Sequence, residues 1–317
     1  MLPDKPLLRK KVRSLLVWSL AALVACSVSI NPIGESADVP DSTAVSPQAQ
    51  LPTTDYRTYD LPQATVHVVT VNLRDEGISL SMGLADELET VEAIAQRENA
   101  IAAINAGFFD PQNGKTTSYL FSQGALVGNP ASNERLVNNP DLQRYLSQIL
   151  NRSELRTYFC KPTADGDVEP GLGVTQYGIT FRDAPMPSFC RIDNVWGAGP
   201  QLLPTDTSTT EAFTDYENGQ LIRDAIGSTQ PNARSAVGLT ANSQELLLIM
   251  VAQRPNAPGL TLTELIDFAK TLGAESLLNL DGGSSSTLYY QGQTHTARLD
   301  AEGNLIARPV KSVILVK

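Results

Sequence analysis

Two short stretches of this chain end an apolar run in the same way. Ala100-Ile101-Ala102-Ala103-Ile104 stops at Asn105-Ala106-Gly107-Phe108-Phe109-Asp110, and Glu275 to Leu280 stops at Asp281-Gly282-Gly283-Ser284-Ser285-Ser286-Thr287. A run of this length reads as a buried strand. Glycine behind it lets the backbone turn sharply and lets a ligand approach the main chain. A carboxylate at such a strand end is held rigidly by the sheet, as a catalytic group should be. Asp281 is therefore the first catalytic candidate and Asp110 a second acidic one, with Gly107, Gly282 and Gly283 as points of close approach. The hydroxyls of Ser284 to Thr287 and the N–H groups freed by the turn suit sugar or phosphate oxygens. Asp-Gly-Gly also serves as an ordinary turn, so the pattern alone does not decide. Ser285 as a hydrolase nucleophile would need a Gly-x-Ser-x-Gly elbow and a histidine in triad context, and the chain offers neither.

The elements that must hold these residues are legible around them. Thr65 to Asn72 is β-branched and apolar, and Gly77 to Met82 alternates, so both read as strands. Glu89 to Asn99 follows helical spacing, with Val91, Ile94 and Ala95 on one face. Ala233 to Thr240 and Glu245 to Val251 form a predicted hairpin about the polar turn Ala241 to Gln244. Thr261 and Glu264 make a capping-box pair, Leu262, Leu265, Ile266, Ala269 and Leu272 line one helical face, and Gly273 supplies the stop. Leu288 to Gln291 and Val310 to Val316 read as closing strands. From about 129 to 191 the pattern is that of a variable insertion shaping access to the site. One helix is expected there (Leu142, Tyr145, Leu146, Ile149), amid loop. The expected class is α+β: a single domain on one twisted mixed sheet with flanking helices.

The ends and the composition set the setting. Arg9, Lys10, Lys11 and Arg13 precede an uninterrupted apolar and small run, Ser14 to Ala25, too short for a span of about 20 residues but suited to a signal peptide. It closes Leu23-Val24-Ala25-Cys26, which resembles the bacterial lipobox, whose cysteine takes a diacylglycerol. The expectation is a signal over 1–25, a lipid on Cys26, a flexible tether over 26–56 and a folded domain over 57–317. That makes an exported lipoprotein anchored in the cell envelope, on the periplasmic or outer-membrane side. The signal carries five of the 24 basic residues and one of the 34 acidic ones, leaving a net charge of −14 on the rest. Such a surface repels nucleic acid, and a phosphate-bearing substrate must be met by local cations. Cys160 and Cys190 remain as an even pair, which in an oxidising compartment reads as a disulfide. Of the two histidines, His67 falls in an alternating run and reads as a strand residue. No His or Cys cluster has metal spacing, so no metal or other cofactor is expected; a divalent ion beside Asp281 would be compatible, but nothing in the spacing demands it.

The motifs carry a specific resemblance. Asn105 to Asp110 resembles the Asn-x-Gly-Phe-Phe motif of the phosphodiester glycosidase family, and Asn279 to Leu288 resembles its Asn-Leu-Asp-Gly-Gly-Gly-Ser-Ser-Thr signature. Ala233-Arg234-Ser235-Ala236-Val237-Gly238 is similar to the Pro-Arg-Thr-Ala-Val-Gly segment, Trp196 to Leu203 to the Gly-Pro-x-Leu block, and Gly259 to Leu262 opens a helix as in the family. Five blocks in order span about 65 to 317. Three departures stand out: Ala233 for proline, Ser284 for a third glycine, and Ala252-Gln253 where many relatives read Asp-Gly. The lost acid bears on substrate identity and on activity.

The resemblance implies cleavage of a sugar–phosphate bond at the anomeric carbon, in envelope or extracellular glycoconjugates, through an oxocarbenium-like state. A phosphomonoester leaving group is already a weak base, so a cation can replace a strong general acid. Arg234 is the expected cation, because its fork matches phosphate oxygens; the bland reading is a salt-bridge partner in a hairpin. Asp281 would act as nucleophile or as base for water. Asn105, Ser284 and Ser285 would hold sugar or phosphate oxygens, and Phe108 and Phe109 fit a core better than a sugar platform. The competing readings are a glycosidase for ordinary glycosides and a non-catalytic lipoprotein that binds polysaccharide.

Overall fold

The strands of this chain are apolar on both faces, and that one property dictates the architecture. In Glu245–Ala252, Leu246, Leu248 and Met250 point into one core while Leu247, Ile249 and Val251 point into another. In Val310–Val316, Ile314 and Val316 share the first of these cores, and Val313 and Leu315 turn to a third. Side chains alternate with period two, so each such sheet needs cover on both sides.

The computed structural model describes residues 53–161 and 173–317. The expected signal, Cys26 and nearly all of the tether lie outside the described residues. Three sheets carry the fold. The first runs, edge to edge, Thr54–Leu61, Ala64–Asn72, Glu245–Ala252, Arg234–Thr240, Ala274–Asn279 and Gln201–Leu203. The second runs Gln293–Thr296, Thr287–Tyr290, Ala102–Asn105, Val310–Val316 and Leu80–Glu89. The third runs Ala125–Gly128, Leu120–Ser122, Cys190–Gly197, Ser153–Cys160 and Val174–Phe181. The first two meet face to face over a shared core that includes Val69, Leu248, Met250, Ile104, Leu288 and Ile314.

Helices cover the outer faces. Leu262–Thr271 lays Leu265, Phe268 and Ala269 against Val66, Val68 and Ile249. Its start is fixed by the expected capping box: Glu264 N–H donates to Thr261 Oγ1 at 3.2 Å, and Thr261 N–H donates to the Glu264 carboxylate at 2.8 Å. Burying each large apolar side chain of that face contributes roughly 1.5–3 kcal/mol. Gly273 then ends it at φ +82°. On the other outer face, Val91–Arg97 buries Val91, Ile94 and Ala95, with Thr90 as its cap. Glu89, read from the sequence as helical, is instead the last residue of the preceding strand.

The class is α+β as expected, dominated by sheet, but the expectation of one mixed sheet is corrected. The sheets are antiparallel throughout, and two of them stack, because strands apolar on both faces need an inner partner as well as an outer helix. The stretch read as helix amid loop is also corrected. Short helical turns occupy 134–149, and three strands of the third sheet follow. Ser153–Cys160 lacks an apolar alternation because it buries Glu154, Arg156 and Thr157. Arg156 Nε donates to Glu154 at 2.6 Å, and its remaining N–H groups reach the carbonyls of Phe181, Arg182 and Ala184. A buried charge is tolerated when paired and hydrogen-bonded in this manner. Cys160 and Cys190 face each other in register and are joined by a disulfide.

Candidate active site

The two motif strands end side by side. Ala102–Asn105 leaves the second sheet and Ala274–Asn279 leaves the first, and their continuations are stitched together: Asp281 N–H donates to the Ala106 carbonyl at 2.9 Å. Asn105, only 1% exposed, completes the seam. Its Nδ2 donates to the Asp281 carbonyl at 2.6 Å, and its Oδ1 accepts from Ser235 Oγ at 2.7 Å and from Thr287 N–H at 3.1 Å. Where a substrate contact was expected, the polar atoms of Asn105 thus meet backbone and neighbours and hold the Asp281 main chain.

Gly107 also changes meaning. A Cβ there would lie 2.3 Å from the Gly197 carbonyl, so the glycine admits the third sheet rather than a ligand. Asp110 lies outside the site. It accepts Arg135 Nε at 2.7 Å and Gln112 N–H at 2.9 Å, and so fastens a surface turn.

Asp281 itself is half-buried on the wall of a cleft of ≈ 300 Å³, opposite Phe108, Ile226 and Asn232. It is the one carboxylate among the described residues lining that cleft. Burial pushes its carboxyl up to about 6, while the Ser285 hydroxyl, the Arg308 charge and the Gly282 N–H pull the other way. Ser285 is fully buried and its hydroxyl makes no hydrogen bond of ordinary geometry. Its hydroxyl favours the charged form of the Asp281 carboxyl, and its burial sets it away from solvent, where a substrate contact was expected. Gly283, at φ +62°, turns the chain so that its N–H reaches the Ala233 carbonyl at 2.9 Å. That turn leaves Gly282 and Gly283 on the cleft wall.

Arg234 lines the cleft but is not the free cation expected there. Its Nε, Nη1 and Nη2 donate to the carbonyls of Leu260, Ile226, Gly227 and Gln230, and the residue is 2% exposed. It pins the loop that forms the opposite wall. Burial lowers its pKa to about 10, with Asp224 opposing, so it keeps its charge near neutrality.

Two cations that sequence reasoning missed stand behind the Gly-Ser turn. Arg308 Nη1 donates to Ser284 Oγ at 3.1 Å, and its guanidinium lies 5.1 Å from the Phe109 ring centre. Arg298 Nη1 donates to Asn232 Oδ1 at 3.1 Å, and a Cβ on Gly283 would lie 3.6 Å from it. Neither forms an ion pair among the described residues. Arg298 opens a two-residue strand and Arg308 lies in irregular chain, so no period marks either. The departure at Gln253 is explained here as well. It stands where relatives have glycine: its Nε2 donates to the Pro258 carbonyl at 2.9 Å and its Oε1 accepts Leu299 N–H at 3.2 Å, next to Arg298, while the acid's own position is taken by the buried Ala252.

The family model for phosphodiester glycosidases matches residues 98–317. No curated protein sequence matches. Among solved structures, the catalytic domain of zebrafish N-acetylglucosamine-1-phosphodiester alpha-N-acetylglucosaminidase, auto-inhibited by its pro-peptide, aligns with a TM-score of 0.56 at 17% identity, covering 85% of each chain. A hypothetical protein from Synechocystis aligns with a TM-score of 0.52 at 20% identity, covering 82% of this chain and 61% of its own. A protein from Burkholderia pseudomallei described as exported aligns with a TM-score of 0.53 at 17% identity, covering 80% of this chain and 74% of its own. At these identities the structural likeness speaks for the fold.

Proposed function

The chain belongs to the phosphodiester glycosidase family, and from that membership we propose that it hydrolyses the anomeric C–O bond of a sugar-1-phosphodiester. The observation that carries the reading is that Asp281 is the single carboxylate lining the cleft among the described residues. An ordinary glycosidase needs two carboxyl groups, one of them to protonate an alkoxide leaving group. A phosphomonoester leaves without that help if its charge is met. One acid and nearby cations suit the second case.

In this account Asp281 takes a proton from water as the water oxygen bonds to the anomeric carbon. The C–O bond to phosphorus's oxygen breaks with its electron pair on that oxygen, giving free sugar and a phosphomonoester. A carboxyl held near 6 is matched to base work close to neutral pH. Arg308 and Arg298 face the growing negative charge across Gly283 and Ser284, while Arg234 adds its field through the loop it pins. A single displacement by water predicts inversion at the anomeric carbon.

The substrate, in this reading, belongs to envelope or extracellular glycoconjugates, reached by a protein exported and held through a lipid on Cys26. The test is incubation with methyl α-N-acetylglucosamine-1-phosphate diester beside an aryl α-N-acetylglucosaminide. Equal release of sugar and phosphomonoester from the diester, with inverted sugar by NMR before mutarotation, is the expected result. Turnover of the aryl glycoside alone would favour an ordinary glycosidase, and retained configuration would make Asp281 a nucleophile. Tight sugar binding with no turnover of any sugar-1-phosphodiester would favour the non-catalytic binder.

A further inference from the structure

The chain has two histidines, and the fold brings them together. His67 lies on Ala64–Asn72 of the first sheet and His295 on Gln293–Thr296 of the second, with ring centres 4.5 Å apart and stacked. His67 Nδ1 is 2.7 Å from the Tyr56 hydroxyl oxygen, and His295 Nε2 is 3.2 Å from the same atom. Two ring nitrogens and a phenol oxygen thus converge from strands of two different sheets. Thr58 Oγ1 donates to that oxygen at 3.2 Å. His67, His295 and Tyr56 are each half-buried, so an ion has a path in from solvent. Met250 pairs in register with His67 on the neighbouring strand, on the same sheet face.

We propose that His67, His295 and Tyr56 form a binding site for a transition-metal ion of the copper(II) type. The observed 2.7 and 3.2 Å are hydrogen-bond separations, close enough for small side-chain rotations to bring all three donors onto one ion. Two imidazole nitrogens and a phenol oxygen are donors that copper(II) takes, and copper(II) heads the divalent affinity series for such a set. An imidazole binds a metal through the lone pair of its neutral form. On binding, each imidazole offers a lone pair and the phenol proton passes to solvent as its oxygen coordinates. The among-residue hydrogen bonds give way to metal bonds, and no electron is transferred. Groups of three or more His, Cys, Asp or Glu side chains suited to a metal do not occur among the described residues; here the phenol completes the set. None of the three residues lines the Asp281 cleft, so the site stands apart from the proposed hydrolysis.

The test is titration of the purified full-length chain with copper(II) chloride against glycine as competitor, followed by electron paramagnetic resonance and visible absorption. The expected result is one equivalent bound, with hyperfine structure from two nitrogens. A His67→Gln, His295→Gln double variant should bind about 100-fold more weakly or worse, and Tyr56→Phe should keep the copper but lose the phenolate-to-copper band. Metal-free thermal melts check that the variants fold; His295→Gln alone, on the short hairpin, serves if the double variant does not. Absence of one-equivalent binding, copper affinity unchanged in His295→Gln, or tighter binding of zinc(II) than copper(II) would overturn the proposal.

Discussion

Asn105 holds the backbone of Asp281: its Nδ2 meets the Asp281 carbonyl at 2.6 Å, joining the strand ends of two stacked sheets. Asn105 is therefore a positioning residue, and its loss should be felt twice. Asn105→Ala leaves Ser235 Oγ, Thr287 N–H and the Asp281 carbonyl without their partner in a buried place, at a cost of about 3 kcal/mol. Thermal or urea unfolding measures that loss. Activity on the diester should fall through kcat with KM little changed, because the carboxylate moves while the cleft wall stays.

The two kinds of arginine should separate cleanly. Arg308→Gln removes a cation beside Asp281 and Ser284 and should lower kcat/KM about 100-fold with little change in stability. Arg234→Lys keeps a charge but cannot serve four carbonyls, and should cost about 2–4 kcal/mol of stability. Paired melting curves and kinetics decide; a stable Arg234→Lys with large kinetic loss would return the phosphate to Arg234.

The pH dependence has a defined sign. The carboxylate is the working form of Asp281, so kcat/KM should rise with pH through a pKa near 6 and level above it, falling about tenfold per unit below. The same shift acts on stability. The folded carboxyl holds its proton more tightly than the ordinary value of 3.8, so ionisation costs folding stability, beginning near pH 4 and complete above 6. Asp281→Asn should therefore be more stable than wild type above pH 6 and no more stable below pH 4.

The disulfide offers a control remote from the chemistry. Cys160 and Cys190 close a loop with a sequence separation of 30, and replacing both with serine should cost about 3–4 kcal/mol. Neither lines the cleft, so kcat at a temperature well below the melt should hold.

What the sequence could reveal followed from how local each signal was. The capping box at Thr261 and Glu264, the hairpin about Ala241 to Gln244 and the strand-to-glycine breaks at Asn105 and Asp281 are written in neighbouring residues, and the structure carries each of them. The strand Ser153–Cys160 was hidden, because Glu154 and Arg156 satisfy each other and the carbonyls of 181–184, partners that no window of sequence shows. Arg234 misled for a related reason: its type fits phosphate, but four distant carbonyls claim its fork. Asp110 was claimed likewise by Arg135. Arg298 and Arg308 were silent because they sit in chain with no period, and only the meeting of that chain with Ser284 and Asn232 gives them a role.

The most direct measurement is single-turnover hydrolysis of methyl α-N-acetylglucosamine-1-phosphate diester by wild type and Asp281→Asn, with both products quantified. The account predicts release of sugar and phosphomonoester in equal amounts by the wild type and a loss of about a thousandfold or more in the variant, with diester binding retained. Equal rates in the two proteins would contradict the assignment of catalysis to Asp281.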